Sequence, residues 1–277
     1  MSAKLICKEL LDSRAPRLAL AYRRYRDVHF RYNKLRETPW GFKMYGEANL
    51  AEAREESGEA RIFMSFADEA DLVVDVGAHV GVFTLLARSR GVPVVAIEPS
   101  PRNLIQLYRN LQLNGDADVE VMPVAVGDHV GLAQLFGEGG GASLLSSWAG
   151  QSSNLNATTT PLHTLDGLLS ARSPGKKLLI KIDTEGSELP VLRGAERLLR
   201  NDPAPAWMVE IWLTETFGGE VNPDFRAIFE TFWRFGYTAT CVEAGGRPVV
   251  GTDVETWIAR GDRGFWNIDY LFQKSPG

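Results

Sequence analysis

Short apolar runs alternate with helical stretches along most of the chain. Apolar runs of this length that are rich in branched side chains are typical of strands buried in a parallel sheet. Because most of the runs are separated by helices, the pattern predicts an α/β fold with a doubly wound, mostly parallel sheet. The last two runs have no long helix predicted between them, which suggests an antiparallel edge. The predicted strands are 71–76, 93–97, 119–126, 178–182, 206–209, 237–243 and 268–272.

The N-terminal part has a different pattern. Between Arg14 and Arg36, apolar and aromatic residues recur at helical spacing and basic residues far outnumber acidic ones, which predicts an amphipathic helix with a basic face. The simplest interpretation is a helix packed by its aromatic stripe, with its charges in water. The alternatives are a substrate lid, a dimer contact, or a dock for an acidic carrier or membrane surface. We therefore expect residues 1–60 to form a helical extension or lid and 61–277 to form the main domain.

The least regular part of the chain is 128–177. It contains a predicted strand at 132–136, a run of glycines, and a stretch rich in Ser, Asn and Thr that ends at Thr160. Long polar loops in compact domains are usually functional or disordered. Because this segment precedes the strand at 178–182, we expect it to be an insertion that covers the substrate side of the cleft.

Composition excludes several classes of protein. The chain has 277 residues, of which 44% are hydrophobic and 23% charged, which is typical of a soluble globular protein. A formal net charge of −5 argues against generic nucleic-acid binding, which needs clustered basic residues. No apolar stretch approaches the roughly 18 residues of a membrane span. Cys7 and Cys241 have no metal-binding or redox spacing, so we expect free thiols and a cytoplasmic location.

The first predicted strand runs into a glycine loop at Asp75-Val-Gly-Ala-His-Val-Gly. Dinucleotide folds use the spacing G-x-G-x-x-G, so that backbone N–H groups cradle a pyrophosphate. Here the spacing of Gly77 and Gly81 is G-x-x-x-G, and a carboxylate facing the loop would repel a pyrophosphate. The same carboxylate would attract a cofactor that carries an ammonium and a sulfonium. The loop therefore predicts S-adenosylmethionine facing Asp75, and it disfavours a nicotinamide oxidoreductase.

The second predicted strand ends in Glu98. An acidic residue at this point, about 20 residues beyond the glycine loop, is placed to accept hydrogen bonds from both ribose hydroxyls of a nucleoside cofactor. Each signal alone also fits an ordinary α/β turn with a solvated acid. The two signals in register favour a cofactor site.

With these residues in hand, the chain resembles FkbM-type S-adenosylmethionine-dependent methyltransferases over roughly residues 42–272. The resemblance implies a class I (Rossmann-like) methyltransferase sheet whose last strand is antiparallel, and O-methylation of a sugar, polyketide or other secondary metabolite. His79 stands where the family more often has Asn. The resemblance rests on ordered motifs at 75–84, 96–101, 110–114, 125–128, 164–166, 181–188, 192–195 and 209–211.

Together, the loop, the acid and the resemblance give the expected cofactor-binding set. Its members lie in the glycine loop, at the end of the second strand, and in the later motifs. They are Asp75, Gly77, Ala78, Gly81, Glu98, Pro99, Ser100, Ala125 and Asp183.

Methyl transfer to a hydroxyl also needs catalytic groups. The acceptor oxygen must be aligned with the methyl group, and a carboxylate or histidine within reach must take or polarise its proton. In a doubly wound sheet the ligand lies beyond the carboxyl ends of the strands, where Asp183, Glu185 and Glu210 are expected. We predict Asp183 as the base or polariser, with the two glutamates beside it. His79 and His163 are competing bases.

Several alternatives stay open. We expect no metal, but three acids so placed also suit Mg²⁺. Glu185 or Glu188 could instead cap the following helix. A noncatalytic scaffold that binds a partner through residues 14–36 is a rival function. A nucleic-acid methylase is a weaker rival, because Asp183-Thr-Glu-Gly is not the Pro-Pro-aromatic run that grips a flipped base. The expected partner is a small hydroxylated acceptor, and the N-terminal helix is compatible with a homo-oligomer.

Overall fold

The structure is a computed structural model, and it describes residues 34–46, 58–137, 139–146, 148, 157–243 and 245–274. The predicted basic helix therefore lies outside the described residues up to position 33. Its predicted last turn is wrong, because residues 35–37 form a strand of a small antiparallel hairpin. Most of the proposed 1–60 extension stays a prediction.

The described residues form the following elements. The strands are β1 (Leu35–Glu37), β2 (Lys43–Tyr45), β3 (Leu72–Val76), β4 (Val94–Ile97), β5 (Glu120–Met122), β6 (Ala125–Val126), β7 (Gly131–Leu135), β8 (Thr158–His163), β9 (Leu178–Ile182), β10 (Ala206–Glu210), β11 (Thr238–Cys241), β12 (Pro248–Val249) and β13 (Asp269–Gln273). The helices are α1 (Glu59–Ala67), α2 (Val82–Ser89), α3 (Pro101–Asn114), α4 (Leu165–Leu169), α5 (Glu188–Arg193), α6 (Glu196–Leu199), α7 (Phe225–Arg234) and α8 (Gly251–Arg260). Within these residues no helix combines the length and apolarity that crossing a membrane requires.

An eight-stranded sheet of order β12-β11-β13-β10-β9-β3-β4-β5 forms the centre of the molecule. Strands β3, β4, β5, β9 and β10 run parallel to their neighbours in this set, whereas β13 is antiparallel to both β10 and β11. The predicted doubly wound, mostly parallel sheet with an antiparallel last strand is confirmed.

The position of the last strand differs from the prediction. β13 lies inside the sheet and α8 precedes it, whereas the sequence pattern placed two consecutive strands at an edge. Helix α8 begins at a glycine and contains several β-branched residues. These residues have low intrinsic helix propensity, so its sequence gives a weak helix signal.

Aromatic side chains pack the helices against the sheet and against each other. On one face, Phe229 and Phe232 of α7 are fully buried and pack on β13, with Phe232 stacked 3.8 Å from the ring of Phe272. On the other face, Phe63 of α1 meets Phe83 of α2 edge to face at 4.8 Å. Burying a side chain of this size contributes about 1.5–3 kcal/mol. These contacts fix α7 against β13 and α1 against α2.

The insertion predicted at 128–177 contributes strands to a second sheet of order β6-β8-β7. The predicted strand at 132–136 is confirmed as β7. The predicted third strand, 119–126, is divided, because Pro123 has no N–H with which to continue the ladder. Its first part is β5 of the main sheet and its second part is β6 of the small sheet. Strand β8 was not predicted: its threonines favour a strand, but Pro161 within it and the polar stretch before it are typical of a loop.

Two asparagines of α3 attach the hairpin to the main domain. Asn110 accepts a hydrogen bond from the backbone N–H of Tyr45 at 2.7 Å and donates to the backbone carbonyl oxygens of Tyr45 and Val80. Asn114 pairs in the same way with both backbone groups of Lys43. A side-chain amide has a carbonyl acceptor and an NH₂ donor, so it can pair with both the N–H and the C=O of one backbone residue. The hairpin is thereby fixed next to the glycine loop that contains Val80.

We expect Gly194→Ala to destabilise the fold. A Cβ at Gly194 would lie 2.0 Å from the carbonyl oxygen of Gly127, while its φ of −83° suits any residue. The cost is therefore steric, and we expect the free energy of unfolding to fall by about 1–3 kcal/mol. Gly251→Ala is the matched control, because its nearest neighbouring atom is 3.9 Å away. Urea denaturation measures both variants, and equal stabilities would contradict this packing.

Candidate active site

Backbone hydrogen bonds join three loops at the carboxyl edge of the sheet. The N–H groups of Gly77 and Ala78 donate to the carbonyl oxygen of Ile97 at 2.9 and 3.0 Å, and the N–H of Asp183 donates to that of Val76 at 2.9 Å. Gly77 has a φ of +85°, and a Cβ there would lie 1.8 Å from the carbonyl oxygen of Asp183. Only glycine fits this position. The glycine loop therefore lies directly against the loop that follows β9.

The rest of the glycine loop is also conformationally restricted. Gly81 has a φ of +94°, and a Cβ there would lie 2.6 Å from Cδ1 of Leu107. His79 has a φ of +51°, a region that Asn and His enter more readily than most residues. This explains how His79 can stand where the family more often has Asn. Its predicted role as a base stays a prediction.

Asp75 lies inside the protein. Its side chain is 1% exposed, and Oδ2 accepts a hydrogen bond from the hydroxyl of Thr84 at 2.6 Å. Burial raises the pKa of Asp75 to about 6, although the Thr84 hydrogen bond and the charge of Lys181 oppose the shift. Its carboxylate therefore ties β3 to α2. The expectation that Asp75 faces the cofactor stays a prediction.

Glu98 directly follows β4, and hydrogen-bond donors of the protein hold its carboxylate. Its carboxylate accepts hydrogen bonds from the backbone N–H groups of His79 and Ser100, both at 2.8 Å, and from the side chain of Asn103 at 3.1 Å. Burial outweighs these donors and raises the pKa of Glu98 to about 7. A carboxylate has about four acceptor positions. Protein donors use three of them, which leaves about one for a ribose hydroxyl. The contact with both ribose hydroxyls stays a prediction.

The other predicted cofactor residues lie in different surroundings. Pro99 and Ser100 follow Glu98, and the N–H of Ser100 is already used by that carboxylate. Ala125 is buried on β6 and pairs with Leu162. The structure therefore places Ala125 in the small sheet, and not at the end of a strand of the main sheet.

The three predicted catalytic acids come together. Oxygen atoms of Asp183, Glu185 and Glu210 all lie within 4.8 Å of one another. Burial, and then the charge of Asp183, raise the pKa values of Glu185 and Glu210 well above the usual range. The side chain of Asp183 is 22% exposed. Asp183 is therefore accessible to a ligand, while both neighbouring glutamates favour the protonated form.

The sequence did not point to Lys181, which lies beneath this cluster. Its ammonium is fully buried, 3.1 Å from Asp269 Oδ1, 3.6 Å from Asp183 Oδ2 and 3.8 Å from Glu59 Oε1. Burial opposes its charge, but the surrounding carboxylates, Asp269 first, raise the pKa of Lys181 well above its usual value. One signal was present: a lysine interrupts an apolar strand two residues before Asp183. Residues at this spacing share a face of a strand.

Two tryptophans hold the two glutamates. The indole N–H of Trp148 donates to Oε2 of Glu185 at 2.7 Å, and that of Trp212 donates to Oε1 of Glu210 at 2.7 Å. Trp212 also meets Trp266 edge to face at 6.2 Å, and Trp266 is 63% exposed. Each glutamate thus accepts a hydrogen bond from an uncharged indole, whereas Asp183 is paired with the ammonium of Lys181.

Glu188 has a structural role in this loop. Its Oε1 accepts hydrogen bonds from the N–H and hydroxyl of Thr184 and from the N–H of Gly186. These contacts fold the segment that carries Asp183 and Glu185 just before α5. The donors precede the helix, so they are not the N-terminal N–H groups of α5 that the structural alternative for Glu188 proposed. The competing base His163 lies on β8 of the small sheet.

A protein-family model matches this chain. The model of the methyltransferase FkbM domain matches residues 75–239, which is more than half of the chain. No curated protein sequence matches the chain significantly.

Similar solved structures share little sequence with this chain. They include a SAM-dependent methyltransferase from Agrobacterium tumefaciens, at 10% identity over 88% of this chain and 70% of that one, with a TM-score of 0.45. The O-methyltransferase TomG from Streptomyces achromogenes, involved in tomaymycin synthesis and solved with SAM, is 15% identical over 83% and 84%, with a TM-score of 0.43. A precorrin-6y C5,15-methyltransferase from Geobacter metallireducens is 12% identical over 78% and 86%, with a TM-score of 0.42.

The domain match begins at Asp75 and extends into β11, so it includes the glycine loop, Glu98 and the three clustered acids. The fold is that of the class I methyltransferases, and the cofactor is S-adenosylmethionine, as predicted. The chain belongs to the methyltransferase FkbM domain family.

Proposed function

We propose that this protein transfers the methyl group of S-adenosylmethionine to a hydroxyl of a small acceptor, such as a sugar, a polyketide or another secondary metabolite. The observation that carries the proposal is the placement of Asp183. It is an accessible carboxylate beside a buried ammonium, and it lies against the glycine loop. A hydroxyl acceptor needs such a carboxylate to take or polarise its proton.

The residues at the carboxyl edge fit the cofactor. The absence of a Cβ at Gly77 lets the glycine loop lie directly against the loop that carries Asp183, so a ligand at this edge of the sheet can meet both loops. Glu98 keeps an acceptor position for a ribose hydroxyl. When bound, S-adenosylmethionine supplies an electrophilic methyl group on a sulfonium. We assign Gly77, Ala78, Gly81 and Glu98 to holding it.

The acid cluster then acts on the acceptor. Lys181 attracts and orients the carboxylate of Asp183, whose free oxygen accepts the proton of the acceptor hydroxyl. Burial and the charge of Asp183 raise the pKa values of Glu185 and Glu210 well above the usual range, which favours their protonated forms and limits the negative charge next to Asp183. This account needs no metal ion.

The acceptor side of the site has aromatic surface. Trp212 contacts Glu210 and extends to the exposed ring of Trp266. Small-molecule sites commonly combine aromatic walls with a few placed polar groups, which supports a small organic acceptor.

We keep a cytoplasmic location as part of the proposal, because Cys241 is a free thiol.

The acceptor can be found directly. The purified protein is incubated with methyl-labelled S-adenosylmethionine and an extract of the producing cells. We expect label in a small molecule that mass spectrometry shows to be one CH₂ heavier. Label confined to protein or nucleic acid would contradict the proposed acceptor class, and absence of transfer would favour the noncatalytic scaffold.

We expect Asp183→Asn to lower methyl transfer into this extract by about 100-fold or more, the usual contribution of a general base. Affinity for S-adenosylhomocysteine, which lacks the sulfonium charge, should be retained, because backbone atoms make the contact between the Asp183 loop and Gly77. Asp118→Asn is the control, since that side chain is 68% exposed and pairs with Arg88. Transfer at the wild-type rate in Asp183→Asn would show that Asp183 is not the base.

Cofactor binding should depend on pH through Glu98. Burial raises the pKa of Glu98 to about 7, so the group becomes charged as the pH rises through that value. A hydroxyl donates more strongly to a charged carboxylate. We expect the affinity for S-adenosylhomocysteine to increase about three- to tenfold between about pH 6 and pH 8, beyond any change in Glu98→Gln. Calorimetry at both pH values measures the affinity. Equal pH dependence in the wild-type protein and in Glu98→Gln would contradict the ribose contact.

A further inference from the structure

Trp148 reaches the acid cluster from the insertion between β7 and β8. Its indole N–H donates to Glu185 Oε2 at 2.7 Å, and the residue is only 2% exposed. A tryptophan buried in this way, from a segment otherwise rich in polar residues, has a specific partner. That partner is an acid next to the proposed base.

The ring of Trp148 and the loop after β9 fit each other in shape. A Cβ at Gly186 would lie 2.5 Å from Cζ3 of Trp148 and 2.8 Å from Cδ1 of Leu145. Phe217 contacts the same ring edge to face, with 5.1 Å between the ring centroids, a favourable geometry for aromatic pairs. The absence of a side chain at Gly186 is therefore what allows the indole to lie here.

The insertion also holds the backbone of Glu185. The hydroxyl of Ser143 donates to the carbonyl oxygen of Glu185 at 2.6 Å, and Ser143 itself pairs with Phe136 through two backbone hydrogen bonds. Glu185 has a φ of +55°, which is uncommon for a residue other than glycine. Such a conformation persists where surrounding contacts determine it. Here the insertion supplies contacts to both the backbone and the carboxylate.

We propose that Trp148 is a positioning residue of the acceptor site, whose indole N–H fixes the carboxyl group of Glu185 beside Asp183. The inference rests on the proposed function, because it assumes that Asp183 meets the acceptor. An indole N–H only donates, so Trp148 cannot take the acceptor's proton and acts through Glu185. The insertion thereby contributes part of the site at which the acceptor reacts.

The contact itself can be tested without an acceptor. The chain has 7 tryptophans, and the indole N–H signal missing from the nitrogen–proton NMR spectrum of Trp148→Phe identifies Trp148. In the wild-type protein this N–H should exchange slowly with solvent. Glu185→Ala should make it exchange quickly, whereas Glu185→Gln should keep it slow, because an amide oxygen still accepts the bond. Equal exchange in all three proteins would overturn the contact.

The role in transfer needs a second readout. Trp148→Phe keeps an aromatic ring and loses the donor. We expect kcat for transfer into the methylated extract fraction to fall about tenfold. The apparent KM, measured by diluting that fraction, should change little, and so should the affinity for S-adenosylmethionine. Trp233→Phe is the matched control, since that ring packs on Phe229 of α7. An unchanged kcat in Trp148→Phe would overturn the proposal.

The outcomes separate this inference from the proposed function. Transfer that is lost in Asp183→Asn but intact in Trp148→Phe overturns only the role of Trp148. Transfer that persists in Asp183→Asn overturns the base assignment, and with it the positioning role. If Trp148→Phe does not fold, Glu185→Gln and Glu185→Ala replace it: a larger loss of kcat in the alanine variant supports the role, and equal losses overturn it.

Discussion

The site depends on one buried positive charge. Lys181 lies in the middle of the main sheet, where its strand pairs with β3 and β10, and its ammonium is surrounded by carboxylates of Asp269, Asp183 and Glu59. These acids come from β13, from the loop after β9 and from α1. An unpaired buried charge costs several kcal/mol. The ammonium of Lys181 therefore allows β13 and α1 to place their acids next to Asp183.

The same charge organises the chemistry. Oδ2 of Asp183 lies 3.6 Å from the buried ammonium, and the side chain is still 22% exposed, so the carboxylate is held by the lysine and stays accessible. Glu185 and Glu210, further from the lysine's direct contacts, are each held by an indole N–H. The three acids therefore differ in their surroundings although they are neighbours. Such a difference is how a site assigns distinct roles to groups of the same type.

The sequence predicted what local patterns encode. Apolar runs located β3, β4, β9, β10 and β13, and the carboxyl ends of parallel strands share an edge, so Asp183, Glu185 and Glu210 could be expected together. It could not show that protein donors already bind Glu98, or that Asp75 is enclosed, because those partners are set by the packing of α2, α3 and the glycine loop. Lys181 was missed although Asp183 is two residues away, because its other acids, Asp269 and Glu59, come from distant parts of the chain. Trp148 was missed because nothing in a polar insertion indicates which loop it will meet.

The most direct test is a crystal structure of the protein with S-adenosylhomocysteine bound. The account predicts that a ribose hydroxyl donates to Glu98 and that the sulfur faces Asp183, with the ammonium of Lys181 still paired to that carboxylate. A cofactor whose sulfur is directed away from Asp183 would contradict it, as would a ribose that makes no contact with Glu98.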